Sequence, residues 1–156
     1  TTILRPPKPT LHRSSAASDV YKRQGNPMAC AAVTTTLAQL DSADYPQLIA
    51  RGDALRGALE NIFKGHGITV TTSGYGNVFG IWHGPVAPNT YQQAAQLANP
   101  AFSKDLHLAL REAGVLIMPS PYGRLYLSFE HDDRVIEEIK TAFDQAALKL
   151  SAAYRA

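Results

Sequence analysis

The sequence predicts an α+β unit, a small antiparallel or mixed sheet covered by helices. Three observations point there. Residues 68–72 alternate Ile, Thr, Val, Thr, Thr, and an apolar run follows over 78–83; between them Gly74-Tyr75-Gly76-Asn77 reads as a turn, so the two runs form a hairpin. Apolar residues recur at spacings of three and four over 44–64, 101–113 and 132–150, which is the period of a half-buried helix. The order is helix, helix, strand, strand, helix, strand, strand, helix, which suits segregated layers rather than a parallel βαβ sheet.

Each element has its own signal. Asn26 is a good N-cap and Pro27 suits the first helical position, where its missing N–H costs nothing. Small residues then permit close packing (Ala29, Cys30, Ala31, Ala32), and Val33, Leu37 and Leu40 make a stripe that ends near Asp41-Ser42. The second helix carries Leu48, Gly52, Leu55, Leu59 and Ile62, and Gly65 fits the left-handed position after its end. Residues 84–100 are polar and hold three prolines, with a short helix expected over 91–97. The next helix presents Phe102, Leu106, Ala109 and Leu110 and stops at Gly114. Residues 115–118 read as a short buried strand, 119–123 as a turn and 125–129 as another strand. Asp132 caps a last helix with the stripe Val135/Ile136, Ile139, Phe143, Ala146 and Leu150.

Composition bounds the function. The chain has 156 residues, enough for one domain of ordinary size, and 45% are apolar, enough for a sizeable core. Fifteen basic against 13 acidic residues leave a net charge of +2, without the concentrated basic face that nucleic acid or a membrane surface requires. One cysteine, Cys30, excludes an intramolecular disulfide and a multi-cysteine metal site. No apolar run approaches the roughly 18 residues of a membrane span, and no signal peptide is visible, so the expected location is cytoplasmic.

Residues 1–24 stand apart. Pro6, Pro7 and Pro9 break helix and strand alike. Ser14 to Gln24 reads as the in-frame translation of a transposase-end adapter used in sequencing libraries, one codon per residue. The expected organisation is a non-native, disordered leader over 1–24 and one globular region over 25–156. A natural basic tail is the competing reading.

Three segments resemble the class III pyridoxal-phosphate (PLP) aminotransferases, most closely the glutamate-1-semialdehyde aminomutase branch. They are Gly25-Asn26-Pro27-Met28-Ala29-Cys30-Ala31-Ala32; the hairpin Ser73-Gly74-Tyr75-Gly76-Asn77-Val78-Phe79-Gly80-Ile81; and Gly114-Val115-Leu116-Ile117-Met118-Pro119-Ser120-Pro121, followed by Leu127-Ser128 and His131. The resemblance covers about 25–150 in order. It implies the C-terminal small domain of a fold-type I PLP-dependent transferase, homodimeric in the parent, acting on an amino acid or amino aldehyde. Where the family has a threonine that reaches the partner subunit's PLP phosphate, this sequence has Tyr21-Lys22-Arg23-Gln24.

PLP chemistry needs a lysine to form the Schiff base, an acid on the pyridinium nitrogen and phosphate donors. In the family these lie upstream of Gly-Asn-Pro. The lysines here (Lys8, Lys22, Lys64, Lys104, Lys140, Lys149) fall in the leader or on helices, in no catalytic context. The expectation is a fragment without catalytic residues that does not bind PLP alone. One edge of a site is implied to remain: Gly25 and Asn26 on the cofactor side, Ser120 and Arg124 on the substrate side, with Arg124 suited to a carboxylate. Each has a plainer reading: helix start, turn serine, surface arginine. Glu130-His131-Asp132 resembles an acid–base cluster, although a histidine at a helix entry is a structural residue as well. His66, His83 and His107 lack metal-ligand spacing, and Cys30 reads as a packing residue. Cut from its parent, the chain would expose the faces of the Pro27 helix and of Leu48/Leu55/Ile62 and would dissolve poorly. The alternative is a stand-alone, non-catalytic module that binds a ligand or a protein.

Overall fold

The computed structural model describes residues 25–155; the leader expected over 1–24 lies outside the described residues. The described residues divide into two units, one ending at Ala43 and the other starting at Asp44.

In the first unit, α1 spans Pro27–Asp41, and the Asn26 side chain caps it by accepting from the Met28 and Ala29 amides. Three threonines in succession disfavour a helix, but Thr34, Thr35 and Thr36 turn their hydroxyls back onto the carbonyls of Cys30, Ala31 and Ala32 at 2.9, 3.0 and 2.9 Å. No residue of α1 is buried. Cys30 is exposed, so its thiol is not the packed group expected from its small neighbours.

The second unit holds α2 (Tyr45–Gly65), β1 (Val70–Tyr75), β2 (Val78–His83), α3 (Tyr91–Leu97), α4 (Pro100–Glu112), β3 (Leu125–Tyr126) and α5 (Asp133–Tyr154). The sheet is antiparallel in the order β1-β2-β3, with Tyr75 opposite Val78 and Phe79 opposite Leu125. This is the α+β class that the sequence predicts. Asp44, Asn99 and Asp132 cap α2, α4 and α5 with their side chains.

The core lies between α2, α4, α5 and one face of the sheet. Leu55, Leu59, Phe63, Ile68, Phe79, Phe102, Leu110 and Phe143 are its most enclosed large residues. Leu48 and Leu55 therefore do not form the exposed face expected of an isolated fragment, and Ile62 packs partly buried against the same core. The reason is local: α2 lies on β1 and α5 of its own unit, and they cover its stripe.

Further departures have physical causes. Helix α2 runs through Gly65, and Gly67 takes the left-handed position at φ 75°. The Gly67 and Ile68 amides donate to the Lys64 and Phe63 carbonyls, both at 3.0 Å, closing a Schellman turn. Strand β1 consequently starts at Val70 rather than Ile68. Residues 115–118 are not a strand: no ladder pairs them, and although Val115 and Ile117 pack on the core, Leu116 and Met118 face outward. The expected strand over 125–129 shrinks to Leu125–Tyr126, because beyond the hairpin turn only Asn77 remains to pair with it; the Leu127 amide donates to the Asn77 carbonyl at 2.9 Å.

The outer edge of β1 is closed by side chains of α2. Glu60 Oε1 accepts from the Thr72 amide at 2.7 Å and from the Thr72 hydroxyl at 2.6 Å, while Arg56 donates to the Gly74 carbonyl at 3.2 Å. Glu60 and Arg56 stand one helical turn apart and meet alternate outward groups of the strand, which leaves the edge less able to template another chain. Replacing Glu60 with alanine leaves the buried Thr72 donors without an acceptor. The expected loss is about 1–3 kcal/mol, read as a lower urea midpoint, and a sedimentation experiment on the variant should detect self-association.

Candidate functional site

The hairpin and the turn at 119–124 build the one region where the sequence-predicted substrate residues meet. Strand alternation sends Phe79 and Ile81 to the core and leaves Gly80 and Trp82 on the opposite face. The turn brings Tyr122, Gly123 and Arg124 against that outer face. Trp82 Nε1 donates to Ser73 Oγ at 2.7 Å, and the Trp82 and Tyr122 rings meet edge to face at 6.3 Å.

Arg124 stands where three hollows adjoin. The first, about 310 Å³, lies on the outer sheet face and is lined by Ser73, Gly80, Trp82, Tyr91 and Tyr122 among others. The second is a cleft of about 20 Å³ shared with Ser120. The third is an apolar groove of about 630 Å³ walled by residues 115–119, Leu125, Leu127 and Phe143. Among the described residues, no ion pair involves Arg124. The structure thus brings Ser120 and Arg124 together. Ser120 also works as a turn residue, its Oγ accepting from the Tyr122 amide at 3.3 Å and its carbonyl from Gly123 at 2.9 Å. The cleft beside it has room for about one water molecule, so the two larger hollows are the wider approaches to Arg124. Gly25 (φ 71°) and Asn26 lie in the other unit, where the Asn26 side-chain oxygen is taken up by the helix cap at 2.9 and 3.4 Å.

The remaining polar candidates are structural. His131 Nδ1 accepts from the Ser128 amide at 3.0 Å and lies 2.9 Å from its hydroxyl, while Asp132 Oδ1 caps α5 through the Val135 amide at 2.8 Å. Two members of the expected acid–base cluster, His131 and Asp132, are thereby engaged in local hydrogen bonds at the entry to α5. His107 Nδ1 donates to the Ile117 carbonyl at 2.6 Å and pins residues 115–118 to α4. His66 pairs with Asp144 at 2.8 Å, and His83 lies 3.2 Å from Asn99. No cluster of metal-ligating side chains occurs among the described residues. The Tyr154 phenol is pushed up to about 12, first by its hydrogen bond to Asp105 at 2.7 Å and then by burial. A further hollow of about 950 Å³ beside Arg134 and Glu138 presents a pair already closed at 2.6 Å. No helix among the described residues is long and apolar enough to cross a membrane.

Lys140 and Lys149 are paired with Glu137 and Glu112, both at 2.7 Å. Lys64 and Lys104 are exposed on helices, and no lysine lines any of these hollows. What sequence reasoning missed is the aromatic hollow around Trp82. Its signal was present in strand parity, since a tryptophan two residues from Gly80 on the solvent face is unusual for a polar surface.

No family model matches the chain. Among curated proteins it is similar to glutamate-1-semialdehyde 2,1-aminomutase of Tropheryma whipplei (strain Twist), 33% identical over 135 residues, covering 85% of this chain and 29% of that protein. The same enzyme of Cutibacterium acnes is 32% identical over 124 residues, covering 79% of this chain and 28% of its own length. Among solved structures, a β-phenylalanine aminotransferase from Variovorax paradoxus superposes with a TM-score of 0.59 at 21% identity, covering 69% of this chain and 24% of that one. An ω-transaminase from Sphaerobacter thermophilus does so with 0.51 at 26%, covering 68% and 24%. The chain spans about a third or less of the length of the curated relatives it matches. The chain is thus similar in sequence to curated glutamate-1-semialdehyde 2,1-aminomutases and in fold to solved transaminases.

Proposed function

We propose that this chain is the C-terminal, small-domain part of a PLP-dependent aminotransferase or aminomutase that acts on an amino acid or amino aldehyde, and that alone it neither holds PLP nor turns over substrate. The observation that carries this is the pairing of two coverages: 85% of this chain aligns with an aminomutase, yet only 29% of that enzyme is spanned. In the parent, a cytoplasmic homodimer on this reading, Arg124 faces the substrate and binds its carboxylate, with Ser120 holding a water beside it, while Gly25 and Asn26 stand at the cofactor edge. PLP when bound would supply the electron sink; this chain supplies the wall that orients the substrate.

The experiment is a PLP titration followed by borohydride. The expected result is no absorbance band of a lysine adduct and no lysine carrying a reduced pyridoxyl group in peptide mass analysis. A single labelled lysine at stoichiometric yield would overturn the proposal. The closed core of the second unit favours one further reading, a self-standing ligand-binding module; saturable binding of an amino acid by the chain without PLP would support it.

A further inference from the structure

We propose that the outer face of the sheet carries a pocket for a single-ring aromatic carboxylate. The inference deepens the substrate-side reading and rests on it for one point, that Arg124 binds a carboxylate. Everything else comes from the hollow of about 310 Å³, which belongs wholly to the second unit. Its size is at the low end for small-molecule sites, right for one ring and one acid group.

The floor is low because Gly80 has no side chain; a Cβ there would stand 3.6 Å from Trp82 Nε1 and 3.4 Å from the Gly123 carbonyl oxygen. The walls are aromatic. Trp82 is fixed by its bond to Ser73 at 2.7 Å and by the edge of Tyr122 at 6.3 Å, so a ring entering beside it meets surfaces already ordered. Tyr91, at the start of α3, is 78% exposed and forms the outer lip. The polar groups converge as recognition of an anion needs. Ser73 Oγ accepts from the indole and so keeps its own proton to donate. Arg124 brings a planar fork that pairs bidentately with a carboxylate. A ring without the acid would leave Arg124 unpaired, and an acid without the ring would leave the aromatic walls wet.

The test uses the chain's one tryptophan, Trp82, as its probe. The full chain is titrated with benzoate and Trp82 fluorescence is followed, with acetate and benzylamine as the acid without the ring and the ring with reversed charge. The expected result is a saturable change with benzoate, absent with the other two, and weakened about tenfold or more in Arg124→Gln, with far-UV circular dichroism unchanged. Tyr122→Ala should weaken it as well. No saturable change with benzoate overturns the proposal. Acetate matching benzoate overturns the aromatic pocket while leaving Arg124 as a carboxylate site. An Arg124→Gln variant that titrates like the parent sequence overturns both. None of these outcomes touches the PLP titration, which tests the family reading by lysine labelling.

Discussion

Alanine in place of Gly52 destabilises the second unit by about 3 kcal/mol or more, the upper range for overpacking, although helix propensity alone would predict a gain of about 1 kcal/mol. Helix α2 crosses the hairpin loop at this residue. A Cβ on Gly52 would lie 2.3 Å from the Gly76 carbonyl oxygen, 2.4 Å from its carbon and 2.7 Å from the Asn77 nitrogen. All three are backbone atoms, and a Cβ has no rotamer by which to escape, so the helix must lift off the loop. The loop has no freedom either: Gly76 sits at φ 50°, and a Cβ on it would press on Ile49 at 3.1 Å. Gly57 is the control on the same helix, with nothing within 4 Å of its virtual Cβ. Gly57→Ala should raise stability by about 0.5–1 kcal/mol. Opposite signs for one substitution at two glycines of one helix, read from urea midpoints, separate sterics from propensity. If Gly52→Ala also gains stability, α2 does not cross the hairpin where the structure places it.

The contrast between these glycines marks where sequence reading works and where it stops. Periodicity reveals which face of α2 is buried, and Leu48, Gly52, Leu55 and Leu59 are indeed inside. It does not reveal what lies opposite. Gly52 belongs to the stripe by spacing, but its reason for being glycine is a loop 24 residues later in the chain. Local chemistry is likewise legible: the caps Asn26 and Asp132, the helix over 91–97 and the turn between β1 and β2 follow from residue types within four positions. Choices between equivalent local signals are not. Gly65 and Gly67 both suit a helix end, and the amides that donate to Phe63 and Lys64 decide for Gly67. Residues 115–118 have strand composition, but a strand needs a neighbour with free backbone groups, and that is a property of the fold. The site divides the same way. Ser120 and Arg124 come together because one turn carries both. The Trp82 hollow needs the hairpin, the α3 entry and that turn in one place, which no single segment encodes.

Phe63→Ala should cost about 3–5 kcal/mol, the range for emptying a buried aromatic site, and bring the second unit close to its unfolding limit, since domains of this size hold only about 5–15 kcal/mol. Phe63 is fully enclosed, with its ring 6.1 Å from Phe102 and 6.2 Å from Phe143, the latter edge to face. It therefore joins α2 to α4 and α5 at one point. Its carbonyl also accepts from Ile68 and His66, both at 3.0 Å, so the same residue sets the turn that launches β1. Removing the ring leaves a hole that three helices line, and none can move in without losing the others. Leu148, 62% exposed on α5, is the comparison; its alanine variant should stay within about 0.5 kcal/mol. The difference bears on what the chain is. A unit whose stability collapses on loss of Phe63, while surface changes on α5 are silent, has a core of its own and melts as one cooperative body. A broad melt insensitive to Phe63 would mean that these helices depend on surfaces this chain does not supply, as expected of a part that is completed only within its parent enzyme.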